Sequence, residues 1–506
     1  MGNYKNAFQV NQSLFYADNE YVKKNSFLNM EAEDAPLPVY EEIKHLLPKP
    51  IWAGHDDTLA CYDKTWELAF DHLRKPNPEA GFVSNFIDTA FHDHLFMWDS
   101  SFIPMYGRYA SHIFNFQKTL DNMYSHQHKD GFICRELYEN VWGEIFQKDD
   151  PASTGPNIMA WSEWEYYQLT GDKERVSRVF YPLLGYHKWL QLNRTWRDGS
   201  YWSSGLGCGM DNQPRVDKGY SELVSHGHAI WVDACFQMII SGKCLIEMGK
   251  VLGLEEDTRW LEEEVKNLTA IINDQLWSED EAFYFDRWRS GLSGVKIVGS
   301  YWGLLADIIP AERLPRFIDH LNNPKEFNRP HRIPTLSADH PDYSEDGSYW
   351  KGSVWAPTNY MVLRGLEKVG YHDLAHEIAC NSLENVVKVY LETDTLWENY
   401  SSEHIRRGLP SKPNFVGWTG LIPIASMFEY VFGILADIKN DEIVWRIKLT
   451  DEHGIERYPY KGHFVTLKCA ARKNSTDEPM LTLQCDAPVK VRVFWDGGEK
   501  ILYCEK

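Results

Sequence analysis

A chain of 506 residues with a formal net charge of −21 exceeds one small core and is too acidic for a nucleic-acid or anionic-membrane partner. Its 43% hydrophobic and 25% charged residues are typical of a folded globular protein. No apolar run approaches the roughly 18 residues of a membrane helix, and the opening MGNYKNAFQV lacks a signal-peptide pattern. We therefore expect a soluble chain, whose native compartment and oligomeric state the sequence leaves open. The 20 Trp and 27 Tyr fit either stacking on sugar rings or filling a large core.

The first 56 residues are rich in helix breakers. Pro36, Pro38, Pro48 and Pro50 interrupt any helical pattern there. We predict that residues 1–56 form an extended arm that packs on the body of the protein.

Residues 57–436 carry recurrent helical spacing, separated by loops rich in Gly and Asp. The spacing is clearest over 257–277 and 372–387, where apolar residues fall on one helical face. Further helices are predicted over 59–74, 100–124, 157–170, 177–193, 226–250, 296–307, 311–322, 354–368 and 416–435. About a dozen helices that pair into about six hairpins indicate an (α/α)6 barrel, a toroid of six helical hairpins. An open solenoid is the competing arrangement, but no fixed-period repeat supports it.

After Asp437 the chain changes to β-rich alternation. Strands are predicted over 443–449, 463–469, 480–485 and 489–495. The predicted fold is therefore mainly α, with an (α/α)6 barrel over 57–436 and a small C-terminal β-domain over 437–506. We expect a structural role for the β-domain.

Four loop segments concentrate polar and aromatic residues. They are 96–102 (FMWDSSF), 205–215 (GLGCGMDNQPR), 349–360 (YWKGSVWAPTNY) and 395–403 (TLWENYSSE). Each segment alone has a structural interpretation, since Asp99 can cap a helix and the Gly-rich loop around Asp211 can be only a turn.

Together and in this order, the four segments resemble the inverting α-glycosidases of glycoside hydrolase family 63. The resemblance includes its mannosylglycerate hydrolase-like branch and, more distantly, the family 37 trehalases, and it spans roughly residues 90–430. The stretch GMDNQPR at 209–215 is similar to the family's Ser-Gly-Met-Asp-Asn-Ser-Pro-Arg loop, which implies the general acid role for Asp211. Glu398-Asn399-Tyr400 resembles the segment of the general base, which implies that role for Glu398. Trp98-Asp99 matches the Trp-Asp of the first sugar subsite, and FVGWT at 415–419 resembles the final Gly-Trp motif.

Two segments depart from the family pattern. The family's Trp-Arg-Gly-Pro-Val-Trp is WKGSVW at 350–355, so Lys351 replaces a forked guanidinium with a point charge and Ser353 replaces proline. Gly207 and Cys208 stand where the family carries Ser and an acidic residue. Recognition of the first sugar is therefore expected to differ.

Inversion needs a protonated carboxyl at the leaving oxygen and an ionised one that activates water, about 6.5–9.5 Å apart. Asp211 and Glu398 are distant in sequence, but the loops of a toroid meet at one mouth. Apolar walls or a neighbouring carboxylate are expected to raise the pKa of Asp211. The residues expected to stack on sugar or bind hydroxyls are Trp98, Asp99, Trp202, Asn212, Arg215, Trp350, Lys351, Trp355 and Trp418, with Asn157 as a weaker candidate.

The resemblance implies an exo-acting glycoside hydrolase that cleaves an α-linked glucoside, with a mannoside as the runner-up. The expected partner is a carbohydrate substrate. No cofactor or metal is expected, since the nine cysteines form no CxxC pair and His92 with His94 has no third ligand nearby.

Three alternatives stay open at this point. A polysaccharide lyase or sugar epimerase can use the same toroid, with His or Tyr abstracting a proton. A catalytically inactive sugar-binding protein would keep the pocket without turnover. Within the hydrolase interpretation, Glu403 is the rival to Glu398 as the base, but it lacks the following Asn-Tyr.

Overall fold

The computed structural model describes residues 18–89, 93–139 and 143–505. Helices dominate up to residue 431, and strands dominate after it. The α-helices are α1 (Tyr40–Ile43), α2 (Asp56–Asp71), α3 (Met97–Gly107), α4 (Lys118–Ser125), α5 (Met159–Thr170), α6 (Lys173–Asn193), α7 (Gly205–Cys208), α8 (Val232–Leu252), α9 (Glu255–Gln275), α10 (Trp302–Ala306), α11 (Leu314–Asn322), α12 (Ala356–Lys368) and α13 (His372–Thr393). Within the described part of the chain, no helix combines the length and the apolar character that crossing a membrane requires.

Six helical segments contact one another in cyclic order. α3 packs against α5, α5 against α8, α8 against α10, and α10 against α12. A π-helical segment, Ile422–Val431, packs against both α12 and α3. All 11 residues of α3 and all 10 of the π-helix are buried, so these six segments form an inner layer.

The remaining long helices pack on this inner layer from outside. α4 contacts α3, α6 contacts α5, α9 contacts α8, α13 contacts α12, and α2 contacts the π-helix. Only 4 of the 21 residues of α9 are buried, against 14 of 21 in α8. The acidic first turn of α9 complements the positive end of the helix dipole, and α8 ends at Gly253, whose φ of 72° suits glycine.

The predicted helices over 257–277 and 372–387 are confirmed as α9 and α13. The single helix predicted over 100–124 is wrong, because the chain leaves α3 at Gly107 and returns as α4. A Cβ atom on Gly107 would lie 2.5 Å from Phe116, so the reversal depends on this close approach. The helix predicted over 416–435 is shorter, a 3-10 turn at Thr419–Leu421 followed by the π-helix.

The described strands form two four-stranded sheets, one three-stranded sheet and three short pairs. The strands are β1 (Lys49–Trp52), β2 (Leu73–Arg74), β3 (Phe86–Ile87), β4 (His94–Phe96), β5 (Glu136–Tyr138), β6 (Gly143–Glu144), β7 (Trp277–Ser278), β8 (Phe283–Tyr284), β9 (Arg287–Trp288), β10 (Gly291–Leu292), β11 (Ile434–Asp437), β12 (Glu442–Arg446), β13 (His453–Tyr460), β14 (His463–Cys469), β15 (Leu481–Cys485), β16 (Val489–Trp495) and β17 (Gly498–Cys504). One four-stranded sheet has the order β1-β13-β14-β15 and the other β11-β12-β16-β17, with β12 and β16 parallel, and the three-stranded sheet is β4-β5-β6. The four strands predicted after Asp437 correspond to β12, β14, β15 and β16.

The N-terminal strand joins a C-terminal sheet. β1 pairs antiparallel with β13, with Lys49 opposite Glu456 and Trp52 opposite His453. Within the predicted arm, the described residues also contain α1 and three 3-10 turns, Val22–Lys24, Ser26–Asn29 and Lys44–Leu46, while residues 1–17 lie outside the described part.

Candidate active site

A cavity of about 260 Å³ is lined by three of the four segments that the sequence singles out. The lining residues are Phe96, Trp98, Asp99, Arg135, Glu136, Gly155, Pro156, Leu206, Gly209, Asp211, Tyr349, Trp350 and Trp418. Five of the predicted site residues therefore line the same cavity: Trp98, Asp99, Asp211, Trp350 and Trp418.

Trp98 and Asp99 are positioned by the junction between β4 and α3. Phe96, the last residue of β4, is opposite Glu136 of β5 and is also the N-cap of α3. No side chain caps this helix, so Asp99 does not act as its cap. The Asp99 side chain is buried, and its Oδ1 atom has no hydrogen-bond partner among the described residues.

Asp211 follows the short helix α7 through a sharp turn. Gly209 ends α7 with a φ of 76°, a conformation that glycine adopts without a steric penalty. Burial raises the pKa of Asp211 to about 6, an effect that the Arg135 guanidinium opposes and the Glu136 carboxylate reinforces. A carboxyl with this pKa retains a proton at mildly acidic pH, as a general acid requires.

Glu398 is buried and held through both carboxylate oxygens. Its Oε1 atom accepts a hydrogen bond from the Tyr349 hydroxyl at 3.0 Å, and Oε2 accepts one from the backbone N–H of Lys412 at 3.1 Å. The Trp418 indole N–H donates to the Glu398 carbonyl oxygen at 2.8 Å. Burial raises the pKa of Glu398 to about 7, although both hydrogen bonds favour the ionised form.

Three carboxyl groups influence one another across the cavity. Burial holds the pKa of Asp99 well above its usual range, and the negative charges of Glu398 and Asp211 raise it further. The charge of Asp211 likewise raises the pKa of Glu398. The two acids predicted from distant motifs therefore lie close enough for the charge of Asp211 to act on Glu398 and for both charges to act on Asp99.

Tryptophans supply the apolar part of the wall. The indole of Trp350 stacks on that of Trp355, with ring centroids 3.7 Å apart and planes 7° apart. Trp355 does not line the cavity and lies 5.4 Å from Trp418 between ring centroids. Trp355 therefore packs behind Trp350 and Trp418 and supports their positions on the cavity wall.

Two predicted sugar ligands, Arg215 and Asn157, are buried away from the cavity. The Arg215 guanidinium is buried and ion-paired with Asp233 at 2.6 Å and Asp286 at 2.8 Å. Asn157 is buried beside His187, with a 3.3 Å contact between its amide nitrogen and Nδ1 of the ring. The structure therefore does not bring either side chain to the cavity.

Three further predicted ligands lie outside the cavity lining. Asn212 binds the backbone at Ser348 and Trp350, and Lys351 forms a 3.2 Å ion pair with Glu222. Trp202 packs against other aromatic rings, Trp196 and His226.

The rival base and the histidine pair are also located. Neither Glu398 nor Glu403 is part of the cavity lining, but Glu398 contacts the lining residue Tyr349, whereas Glu403 contacts Arg329 and Tyr343, which lie outside the lining. The hydrogen-bonded ion pair with Arg329 lowers the pKa of the Glu403 carboxyl. His94 binds Glu136 at 2.7 Å, while His92 lies outside the described residues. Within the described ranges, no three His, Cys, Asp or Glu side chains form a metal-ligand cluster.

Sequence reasoning missed four polar or aromatic lining residues. Tyr349 is the first residue of the segment 349–360, and the many aromatic residues of that segment could have indicated it as a site residue. Arg135 and Glu136 carry no motif, and only the pairing of β5 with β4 brings them beside Phe96.

This arrangement combines a buried carboxyl of raised pKa on an aromatic cavity wall with a second buried carboxyl that is hydrogen-bonded to the cavity residue Tyr349. Such a combination inside a helical fold is typical of enzymes that cleave glycosidic bonds with two carboxyl groups.

Comparison with known proteins identifies the family. The model of the mannosylglycerate hydrolase MGH1-like glycoside hydrolase domain matches residues 92–404, and the chain belongs to this family of glycoside hydrolases. The resemblance to glycoside hydrolase family 63 predicted from the four motifs is therefore confirmed.

Individual relatives are more distant. An uncharacterized protein of Borreliella burgdorferi is 25% identical over 75% of this chain and 80% of its own length. A probable mannosyl-oligosaccharide glucosidase of Schizosaccharomyces pombe is 22% identical over 53% of this chain, which spans only 33% of that protein. The solved GH63 mannosylglycerate hydrolase of Thermus thermophilus, in complex with glucose, shares 19% identity. Its TM-score is 0.57 over 71% of this chain and 98% of that chain, a likeness of fold.

Proposed function

We propose that the protein is an inverting, exo-acting glycoside hydrolase of α-linked glucosides or mannosides, with Asp211 as general acid and Glu398 as general base. The observation that carries this proposal is a pair of carboxyls with pKa values raised to about 6 and about 7. Asp211 lines the cavity, and Glu398 accepts a hydrogen bond from the cavity residue Tyr349. Groups that give and take a proton near neutral pH need values in this range.

In the proposed reaction, Asp211 donates its proton to the leaving oxygen as the bond from that oxygen to the anomeric carbon breaks. Glu398 accepts a proton from water, and the water oxygen attacks the anomeric carbon from the opposite face. The products are a sugar of inverted configuration and a free alcohol. Solvent then restores the proton on Asp211 and removes the one on Glu398.

The contacts of Glu398 support its role as the base. Each of its oxygens accepts one hydrogen bond, from Tyr349 or from the Lys412 backbone, and each keeps further acceptor capacity for water. The two donors fix the plane of the carboxylate, so that the remaining lone pairs have a defined direction.

The size of the cavity supports exo action. Its volume of about 260 Å³ lies below the roughly 300–1,000 Å³ of pockets for drug-sized ligands. One sugar ring is a suitable occupant, with Trp98, Trp350 and Trp418 facing its C–H surfaces and Asp99 accepting hydrogen bonds from hydroxyls. We exclude Arg215 and Asn157 from these contacts because neither residue lines the cavity, and the Arg215 guanidinium is ion-paired with Asp233 and Asp286.

The choice of sugar rests on the relatives. The yeast relative is named a glucosidase, and the Thermus structure holds glucose, so an α-glucoside leads. A mannoside is second, because the family is described by mannosylglycerate hydrolysis.

We also propose the finer architecture that goes with this function. The cyclic contacts of the inner helices support an (α/α)6 barrel over residues 57–436, with an N-terminal arm over 1–56 and a small β-domain over 437–506. The pairing of β1 with β13 supports a role of the arm in attaching the β-domain to the barrel.

The test is proton NMR of the anomeric signals during digestion of α-linked gluco- and manno-disaccharides and of mannosylglycerate. We expect the β-anomer as first product, and a loss of at least about 100-fold in kcat for Asp211→Asn and Glu398→Gln. Retention of configuration, or full activity in either variant, would contradict the proposal. A new ultraviolet absorbance from an unsaturated sugar would indicate a lyase instead.

A further inference from the structure

One side chain links the loop of the proposed acid to the loop that contacts the proposed base. Asn212 follows Asp211, and its amide Nδ2 donates to the Ser348 carbonyl at 2.9 Å. Its Oδ1 atom accepts from the backbone N–H of Trp350, also at 2.9 Å. The amide therefore binds the chain on both sides of Tyr349.

Tyr349 continues this link to Glu398. Its hydroxyl donates to Oε1 of Glu398 at 3.0 Å and lies on the cavity wall. Burial and the neighbouring carboxylates raise the pKa of Tyr349, so its phenol remains a donor throughout the range in which the carboxyls titrate.

The backbone around Tyr349 needs external support. Ser348 and Tyr349 have φ angles of 38° and 69°, a region that residues with side chains rarely adopt. The Tyr349 N–H donates to the Leu409 carbonyl at 3.2 Å, and the Trp355 indole donates to the Tyr349 carbonyl at 3.3 Å. With the two Asn212 bonds, these contacts fix where the phenol meets Glu398.

We propose that Asn212 and Tyr349 form a positioning bridge that sets the separation between Asp211 and Glu398 and orients Glu398 toward water. The inference rests on the proposed acid and base roles. An inverting reaction requires a defined gap between the two carboxyls, and a misplacement of about 1 Å can cost about 100-fold in rate. Asp211 and Glu398 lie on distant segments, so their spacing depends on contacts of this kind.

The bridge differs in its consequences from direct sugar binding by Asn212. If Asn212 binds the sugar directly, its substitution weakens sugar affinity. If Asn212 is part of a bridge, its substitution lowers kcat and leaves sugar affinity unchanged. The Tyr349 hydroxyl also stabilises the ionised form of Glu398. Its loss raises the pKa of the base, so the acidic limb of the activity profile moves to higher pH.

The experiment uses α-glucosyl fluoride and α-mannosyl fluoride as substrates, because a fluoride leaving group needs no proton from Asp211. We compare wild type, Tyr349→Phe, Asn212→Ala and the double variant by kcat, by pH profile and by the Kd of glucose and mannose. The matched control is Tyr343→Phe, whose hydroxyl donates to Glu403 at 2.6 Å outside the cavity lining.

We expect Tyr349→Phe and Asn212→Ala each to lower kcat at least tenfold, with sugar Kd values changed less than twofold. Tyr349→Phe also moves the acidic limb to higher pH. The double variant should be no more than about twofold worse than the poorer single variant, because both changes break one link. Tyr343→Phe should behave as wild type.

Wild-type kcat and pH profile in Tyr349→Phe would overturn the bridge, as would fully additive losses or a tenfold weaker sugar Kd. If Asn212→Ala does not fold, the comparison of Tyr349→Phe with its control Tyr343→Phe is sufficient to test the bridge. Failure of the proposed function looks different, because Glu398→Gln would then hydrolyse the fluoride as fast as wild type.

Discussion

Gly209 lies against the face of the Trp98 indole, and a Cβ atom built on Gly209 would be 2.8 Å from Cδ2 of that ring. Gly209 also has a φ of 76°, so both its backbone conformation and its missing side chain are needed. The turn that presents Asp211 and the first aromatic wall of the cavity are therefore fitted to each other.

Gly209→Ala is expected to lower both stability and activity. The left-handed conformation costs about 1–3 kcal/mol for a residue with a side chain, and the clash displaces Trp98 or the Asp211 turn. The matched control is Gly253→Ala, with a φ of 72° and no atom within 4 Å of the added methyl group. Thermal melting should fall in both variants, and kcat/KM only in Gly209→Ala. Equal activity in the two would show that the contact with Trp98 has no functional weight.

The pH dependence of kcat/KM should be bell-shaped, with a maximum near pH 6.5 between the pKa values of about 6 and about 7. Below the lower pKa both carboxyls are protonated and the base is lost. Above the higher pKa both are ionised and the acid is lost. One proton can be on Asp211 or on Glu398, and only the form with the proton on Asp211 is active. The ratio of these two forms does not change with pH, so the active form follows the same bell-shaped profile.

Glycosyl fluorides provide the control for this profile. They need no protonation of the leaving group, so the alkaline limb should disappear while the acidic limb remains. A profile that is flat from pH 5 to pH 9 with a disaccharide would contradict the assignment of both groups.

Asp99→Asn should impair catalysis without impairing the fold. The Asp99 carboxyl is buried, and Oδ1 has no partner within the described residues, so the fold gains little from its charge. Leaving one buried polar group without its hydrogen-bond partner costs about 1–3 kcal/mol, so we expect kcat/KM to fall about 5–150-fold. The melting temperature should be unchanged or higher. A large fall in melting temperature with normal kcat/KM would reverse this interpretation.

Arg215→Met should act on stability rather than on sugar binding. It leaves Asp233 and Asp286 buried without their cation, which is expected to lower the free energy of unfolding by about 3–5 kcal/mol. Arg175→Met is a matched control, because Arg175 is also buried and pairs with Asp121 and Glu163. Urea unfolding should report similar losses, and the sugar Kd should stay within twofold in both. A tenfold weaker Kd in Arg215→Met alone would restore its predicted role as a sugar ligand.

The helical spacing of apolar residues in the sequence predicted the outer helices better than the inner helices. α9 exposes one face and buries another, so its periodicity is visible in the sequence. α3 and the π-helix are buried all round, and an apolar run without a polar face gives no period from which to read an end. The end of α3 depends on Phe116 packing on Gly107, a contact that no local pattern encodes.

The site shows a similar division. Asp211, Asp99 and Trp98 could be predicted because short motifs carry them in a fixed order. Arg215 belongs to the same motif as Asp211 but pairs with Asp233 and Asp286, and only the folded chain reveals those partners. The place of a residue in a motif thus does not distinguish a sugar ligand from a support.

The pairing of β1 with β13 also has a consequence for synthesis of the chain. Lys49 leaves the ribosome about 400 residues before Glu456, its partner in the sheet. At about 5–20 residues per second, β1 waits about 20–80 s with an open edge before β13 exists. The sheet that fastens the beginning of the chain therefore cannot be completed until β15, which ends at Cys485, has been synthesised.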